Sequence, residues 1–312
     1  MAEPSQMLVS IIVPSFDQGR YIGEALRSCI EQDYRPLEIL VVDGGSQDET
    51  TAVLGSFAAP ELHWHSEPDR GVVDAVNKGM ARACGAILTI QSADDVLMPG
   101  AVTAAVAAFA SATRLGLVYG DVEHIDAESR VTGADVQEAF DLAAYLGRLQ
   151  YIPQPGAFFT RRAMEAIGGW REAFSYAADA DFWMRLALQF PVQRLDRFMA
   201  RYRYHAEQRD RQRERIARDW QGAVQDLLGG GGLDARQARY ARMGMHLARY
   251  RYSSEEQCRQ THPGSLRGAS SPTSEAVSHK RFPKRELLPG RDPLWRQLSR
   301  IKRGLGFKPR SA

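Results

Sequence analysis

The stretch Val41-Val42-Asp43-Gly44-Gly45-Ser46-Gln47-Asp48-Glu49-Thr50, "VVDGGSQDET", decides how this chain is read. Just before its turn, Leu37 to Val42 ("LEILVV") is a short apolar run of the kind that forms a strand buried on both faces. The run ends in two glycines, followed by acids among small polar residues. Gly-Gly makes a turn, and Ser46 or Asp48 is placed to cap the next helix. Neither role accounts for Asp43, which stands at the strand end itself.

Outward from that point the same strand-turn-helix unit repeats. Leu8 to Val13 ("LVSIIV") reads as a strand ended by Pro14, and Ile22, Ala25, Leu26 and Ile30 recur at helical spacing over Tyr21 to Ile30. A helix is expected over Asp48 to Phe57, a strand over Leu62 to His65, a helix over Val72 to Cys84 and a strand over Ala86 to Ile90. An Ala-rich helix follows over Met98 to Ala112, with Pro99 in its first turn, then a strand over Leu115 to Tyr119. This alternation predicts an α/β fold: a mainly parallel, Rossmann-like sheet flanked by helices, with right-handed crossovers. Ligands of such sheets lie beyond the carboxyl ends of the strands, where Asp43 sits.

Past Asp121 the alternation loosens. Phe158-Phe159 is strand-like, Arg162 to Ile167 and Asp181 to Phe190 read as short helices, and Val192 to Tyr204 suggests two short strands. A charged helix over Glu207 to Leu228, a break at Gly229 to Gly232 and a helix over Asp234 to Tyr250 form a C-terminal helical extension. Ser253 to Lys280 is rich in Ser, Pro, Gly and His without periodicity and reads as a flexible linker. The tail from Arg291 is basic, and Leu294, Leu298, Ile301 and Leu305 share one helical face near Trp295 and Phe307. A basic amphipathic segment of this kind is expected to touch an anionic membrane surface.

The chain has 312 residues, 44% hydrophobic and 25% charged, enough for a large core. A net charge of +2 gives no reason to expect nucleic acid as a partner. Cys29, Cys84 and Cys258 are far apart, without zinc-ligand spacing, as in a reduced cytoplasmic protein. The start, MAEPSQ, has neither a basic nor an apolar secretion segment, and no apolar run is long enough to span a bilayer. The expected location is therefore the cytoplasm, peripheral on the inner face of the plasma membrane if the tail docks there.

Acids recur where strands end: Asp17, Asp43, Asp69, and Asp94 with Asp95. Carboxylates gathered at one rim are costly unless something positive sits among them. A divalent cation answers that need, and hard oxygen ligands favour Mg or Mn. A metal held by one or two carboxylates completes its shell with water and phosphate, which points to a diphosphate-bearing substrate.

Three segments then carry a resemblance. "VSIIVPSFDQGRYIGEALRSCIEQDYRPLEILVVDGGSQDET", "SEPDRGVVDAVNKGMARACGAILTIQSADDVLMPGA" and "IPQPGAFFTRRAMEAIGGWREAFSYAADADFWMRLA" resemble, in that order, family 2 glycosyltransferases of the GT-A fold, of the type used in bacterial polysaccharide and cell-envelope biosynthesis. The similarity covers roughly residues 7 to 205. It implies a GT-A domain over 1–205, with a nucleotide-binding half over about 7–120 and an acceptor half over about 121–205. Beyond it lie the helical extension at 206–252, the linker at 253–290 and the basic tail at 291–312.

The resemblance implies a metal-dependent, inverting transfer of a sugar from a nucleotide-diphosphate sugar to a hydroxyl of a saccharide or lipid-linked acceptor, with UDP the default nucleotide. Pro14, Ser15 and Asp17 match the loop that holds the nucleoside, and Asp43 the acid that reads the base. Asp69, Gly71, Asp74, Asn77 and Lys78 match a segment near the nucleotide and donor sugar. Asp94 would face ribose or sugar, Asp95 would bind the metal, and His205 would approach metal or diphosphate. Asp179 matches the catalytic base, with Gln154 and Pro155 near the acceptor. Three departures stand out: Asp17 where the family commonly has Asn, Ser92-Ala93 in place of the first acid of the DxD motif, and Ala178 where many members have Glu. Asp181, two residues past Asp179, is an alternative base. A nucleotidyltransferase would need a Gly-, Arg- and Lys-bearing loop after the first strand, and a dinucleotide dehydrogenase a G-x-G-x-x-G there; "PSFDQGRYIGEA" is neither. A non-catalytic nucleotide-sugar-binding subunit is the remaining alternative, opposed by Asp43, Asp95 and Asp179 occurring together.

Overall fold

The computed structural model describes residues 7–206, 208 and 212–261, with 249–261 as backbone alone. The expected membrane-contacting tail at 291–312 and most of the expected linker lie outside the described residues. Among the described residues, no helix is long and apolar enough to cross a membrane.

The N-terminal half follows the alternation. Strand β1 (Val9–Ser15) leads to helix α1 (Gly19–Ile30), β2 (Leu37–Asp43) to α2 (Thr50–Gly55), and β3 (Leu62–Ser66) to α3 (Val72–Arg82), followed by β4 (Ile87–Ile90). The strands β3-β2-β1-β4 lie side by side and parallel. Period-2 alternation gives β1 two buried faces. Val9, Ile11 and Val13 join Ile22, Leu26 and Cys29 of α1 in one core, while Ile12 joins Val73, Val76 and Met80 of α3 in the other. Each of these large side chains, fully buried, is worth about 1.5–3 kcal/mol.

Beyond β4 the pattern changes. The later elements are β5 (Val96–Leu97), α4 (Ala101–Ser111), β6 (Leu117–Ile125), β7 (Val131–Asp135), α5 (Leu142–Leu146), β8 (Phe158–Thr160), α6 (Arg161–Ile167), a 3-10 segment (Glu172–Ala177), α7 (Ala178–Ala187), β9 (Val192–Arg203), α8 (Arg213–Gly229) and α9 (Ala235–Thr261). The nine-stranded sheet has the order β3-β2-β1-β4-β8-β6-β9-β5, with β7 on β6. The short β8 is antiparallel to both β4 and β6, β5 is antiparallel to β9, and β7 to β6. The sheet is thus mixed rather than mainly parallel, because β8 inserts antiparallel between β4 and β6, while β6 and β9 pair in parallel.

Other expectations are corrected in the same region. Residues 192–204 form one long strand rather than two, and the register shifts opposite Tyr119 to Val122 bend it where a break was expected. The boundary at 120/121 falls inside β6, so the two halves share a strand. Helix α7 begins at Ala178, three residues before Asp181. Helix α9 continues to Thr261, so 253–261 is helix and not linker. Helix α8 buries the stripe Ala217, Trp220, Ala223 and Val224, and α9 buries Tyr240, Ala241 and Ala248.

Candidate active site

Parallel pairing sets Ser15 at the end of β1 level with Asp43 at the end of β2. Asp43 is fully buried and closes its own turn. Its Oδ2 accepts from the Gly45 N–H at 3.2 Å, the Ser46 N–H at 2.9 Å and the Ser66 hydroxyl at 2.6 Å, while Oδ1 accepts from the Ser46 hydroxyl at 2.5 Å. Three of these four bonds fall on Oδ2, so Oδ1, with two lone pairs and one donor, has room for another. The two glycines have separate causes. A Cβ on Gly44 would lie 2.7 Å from the Asp69 carboxylate, and Gly45 has φ +84°.

A second set of bonds ties this turn to the β1-α1 loop. Asp17, at φ +50°, donates its N–H to the Ser46 hydroxyl at 2.8 Å and accepts the Gln47 N–H at 2.8 Å. Asp48 accepts from the first N–H of two helices, Gly19 of α1 and Thr50 of α2, each at 2.9 Å. Burial pushes the Asp48 carboxyl up, but the Thr50 hydroxyl and the Gly19 and Thr50 N–H groups outweigh it and hold the group below its ordinary value. Ser46 therefore clasps loops rather than capping a helix, and Asp48 serves two helix starts. The Ser15 hydroxyl is buried beside them without a partner, and so is the Gln91 side-chain oxygen just past β4. Polar atoms buried at the carboxyl ends of two strands suit a polar ligand.

The loop after β4 meets the end of β9. His205 Nε2 lies 3.0 Å from Asp94 Oδ2, and its ring packs 4.8 Å from Tyr21 of α1. Asp95 is buried, and its Oδ1 accepts the Arg203 N–H at 2.8 Å. His205 was expected to serve the metal together with Asp95; the structure sets it against Asp94. Arg203 fastens the corner. Its guanidinium, 1% exposed, donates to the Asp94 and Asp126 carbonyls at 2.7 and 3.0 Å, to Ser129 Oγ at 2.9 Å and to Glu24 Oε2 at 2.6 Å. Sequence reading passed over Arg203. The only signal was alternation in "RYRYH", which puts Arg203 and His205 on one face of a strand.

Among the described residues no group of three or more His, Cys, Asp or Glu side chains is arranged to hold a metal. Asp94 and His205 nevertheless present an oxygen and a nitrogen to each other. That fits a cation that takes its remaining ligands from phosphate and water.

Asp179 stands half-buried in the first turn of α7. The neighbouring Tyr145 hydroxyl is driven well above its usual value, first by burial and then by the negative charge of Asp179. Asp181 is different: fully buried, it is gripped by Arg171, at 2.9 Å for Nε, and by Arg185 at 3.0 Å. Helix α8 holds the segment ahead of Asp179, through Asp219 accepting the Tyr176 N–H at 2.8 Å and Asp226 accepting from Arg171 at 2.6 Å.

Several expected residues are engaged elsewhere. Asn77 donates to the Trp170 carbonyl and accepts the Trp170 N–H, both at 2.9 Å, tying α3 to the segment after α6. Lys78 lies among Glu67 at 3.4 Å and Asp74 at 3.3 Å, and Asp74 also pairs with Arg70 at 3.1 Å. Asp69 accepts the Gly71 N–H at 2.7 Å, at the start of α3. Gln154 accepts from Ser92 at 2.9 Å and donates to the Ile90 carbonyl, so residues 151–155 run past the end of β4. Pro14 stays on β1, level with Val42.

Comparison with known proteins follows this geometry. The family model "Glycosyl transferase family 2" matches residues 10–168. An uncharacterised glycosyltransferase of Mycobacterium tuberculosis is 34% identical over 183 residues, 58% of this chain and 69% of that protein. The PGL/p-HBAD biosynthesis glycosyltransferase of Mycobacterium bovis is 34% identical over 189 residues, 59% of this chain and 70% of that protein. In fold, the chain is similar to residues 1-349 of Staphylococcus aureus TarS, solved with UDP-GlcNAc, at TM-score 0.62 and 18% identity, covering 77% of this chain and 72% of that TarS segment. It is also similar to a Pyrobaculum calidifontis mannosyltransferase, solved with GDP-Man and Mn2+, at TM-score 0.62 and 18% identity, covering 97% and 82%. The chain is a sugar-transferring enzyme with the GT-A architecture, and it belongs to glycosyl transferase family 2.

Proposed function

We propose that the chain moves a sugar from a nucleotide-diphosphate sugar to a hydroxyl of a saccharide or lipid-linked acceptor, with inversion at the anomeric carbon. The observation that carries this reading is the convergence at one rim: the buried, unpartnered Ser15 hydroxyl beside Asp43 at the ends of β1 and β2, and the Asp94-His205 pair beyond β4. The clasped β1-α1 and β2-α2 loops would hold the nucleoside, with Pro14, Ser15 and Asp17 at its edge and Asp43 Oδ1 toward the base. Asp69 and Gly71 would border the donor sugar, with Asn77 supporting that wall through its Trp170 clasp. Asp94, Asp95 and His205 are the residues that would hold Mn2+ or Mg2+. When bound, the ion supplies Lewis-acid stabilisation of charge on the leaving diphosphate.

Asp179 takes the proton from the acceptor hydroxyl as that oxygen attacks the anomeric carbon and the bond to the diphosphate breaks. It is preferred to Asp181 because both Asp181 oxygens are bound by guanidinium groups away from solvent. The relatives support the reading by name: one serves PGL/p-HBAD biosynthesis, and fold neighbours were solved with UDP-GlcNAc and with GDP-Man and Mn2+. UDP is the default nucleotide.

A thermal-shift panel of UDP, GDP, dTDP and CMP, each with Mn2+, Mg2+ or EDTA, tests it. A ligand at about 100 times its dissociation constant adds about 2.7 kcal/mol of stability. A shift with one diphosphate, lost with EDTA and in Asp94→Ala and His205→Ala, is expected. A folded protein indifferent to all four nucleotides would remove the basis for the reading.

A further inference from the structure

Strand alternation separates the two faces of β9. Arg203 and His205 face α1 and the loop after β4, so Tyr202 and Tyr204 face the other way. On that second face, β6 sets His124 level with Tyr202 on one side and with Gly133 of β7 on the other. The Tyr204 ring stands edge-on to His124 at 5.1 Å and to Tyr202 at 5.0 Å. Asp135 joins them, its Oδ2 lying 3.1 Å from His124 Nε2 and accepting the Tyr151 hydroxyl at 2.5 Å. The result is a shelf of three tyrosine rings round a carboxylate-imidazole pair. Tyr151 is 41% exposed, and Val131, Val136 and Leu149 beside it are among the most exposed large apolar side chains in the described residues.

The nucleotide reading uses none of this face, yet the shelf adjoins the proposed donor rim on both flanks. Tyr204 precedes His205, which meets Asp94, and Tyr151 lies just ahead of Gln154, which clasps the end of β4. A pyranose has an apolar patch of C–H groups on one face and hydroxyls round its edge. The C–H patch suits the electron-rich face of an aromatic ring, and a carboxylate fixed by neighbouring donors orients a hydroxyl.

We propose that Tyr151, Tyr202 and Tyr204, with the Asp135-His124 pair, form a saccharide-binding shelf that seats a pyranose ring of the acceptor. This rests on the glycosyl-transfer reading of the adjoining rim and adds the place where a sugar ring of the second substrate sits.

The test uses the full chain on an array of immobilised α- and β-pyranosides of glucose, galactose, mannose, rhamnose, N-acetylglucosamine and N-acetylgalactosamine. Wild type is compared with Tyr151→Ala, Tyr202→Ala and the shape-preserving Asp135→Asn, with Trp64→Ala as an exposed aromatic elsewhere. Thermal shifts with UDP and GDP plus Mn2+ run in parallel. Binding of at least one pyranoside by wild type and Trp64→Ala, weakened about tenfold or more in Asp135→Asn and in whichever tyrosine variants fold, is the expected result. Nucleotide shifts should stay unchanged in those variants. Equal binding by the shelf variants, or no binding of any pyranoside by wild type, overturns the shelf. Pyranoside binding without any nucleotide shift would keep the shelf and sink the donor reading instead.

Discussion

Two sets of carboxylates, one at the donor rim and one in the later part of the chain, are answered by different partners. Round the donor rim, Asp17, Asp43, Asp48 and Asp69 accept mainly from backbone N–H groups and small hydroxyls of nearby loops. In the later set, Asp121, Glu123 and Asp181 are answered by Arg194, Arg201, and the pair Arg171 and Arg185. The first arrangement shapes loops, since an acid that gathers amides fixes a turn. The second fastens separate elements together, since an arginine reaches across helices and strands with a planar set of donors.

The sharpest way to test this contrast is at Asp179, the acid proposed to act as the base rather than as a fastening. Asp179→Asn is expected to lower sugar transfer by roughly 10²–10⁴-fold, measured with labelled donor, while the nucleotide thermal shift stays unchanged. A matching loss of nucleotide binding would make Asp179 a structural acid like its neighbours. Next in size is Asp181→Ala. It strands two guanidinium groups in a buried site and should cost about 3 kcal/mol in urea unfolding. A cost below about 1 kcal/mol would show that water or other acids replace it.

Asp43→Ala is expected to cost about 2 kcal/mol, by orphaning the Gly45 and Ser46 N–H groups and the Ser66 hydroxyl, and to weaken nucleotide binding as well. Loss of binding without loss of stability would make Asp43 a reader of the base rather than a clasp. The smallest effect concerns pH. The folded-state pKa of Asp48 is depressed, so its stabilisation is present above its unfolded value of about 3.9 and is lost as pH falls through the folded value. Asp48→Asn should therefore be slightly less stable than wild type at neutral pH. In pH-resolved thermal melts the gap should close only below the usual carboxylate range.

The same contrast explains what sequence could reveal. Backbone amides exist at every residue, so "DGGSQD" already marks a turn and places Asp48 to accept at the start of the next helix. Strands β1 to β4 were readable for the same reason, because apolar runs, glycines and helical spacing are local signals. Asp43 as a clasp was missed because Ser66 is distant in sequence and joins it only when β3 pairs with β2. The arginine partners of the later set were not legible at all. Nothing in "AADADFW" shows that Asp181 will meet Arg171 and Arg185. Phe158-Phe159 read as a strand, but the direction in which β8 pairs is set by its distant partners β4 and β6, and β5 and β7 carry no apolar run of strand length, which is why the sheet read as more parallel than it is.

Strand β8 has a consequence for how the chain is made. It fills the gap between β4 and β6, although both are complete in the chain well before Phe158–Thr160. As the polypeptide leaves the ribosome, the first four strands can pair while β4 keeps an open flank. That flank is sealed only when a segment some 70 residues downstream has emerged, on the arithmetic from Ile90 to Phe158. A nascent chain stalled before Phe158 would expose one bare edge of the sheet, the kind of surface on which unfinished chains associate. The central join of the enzyme is therefore among its last to close, and its vulnerability in the cell is set by timing as much as by stability.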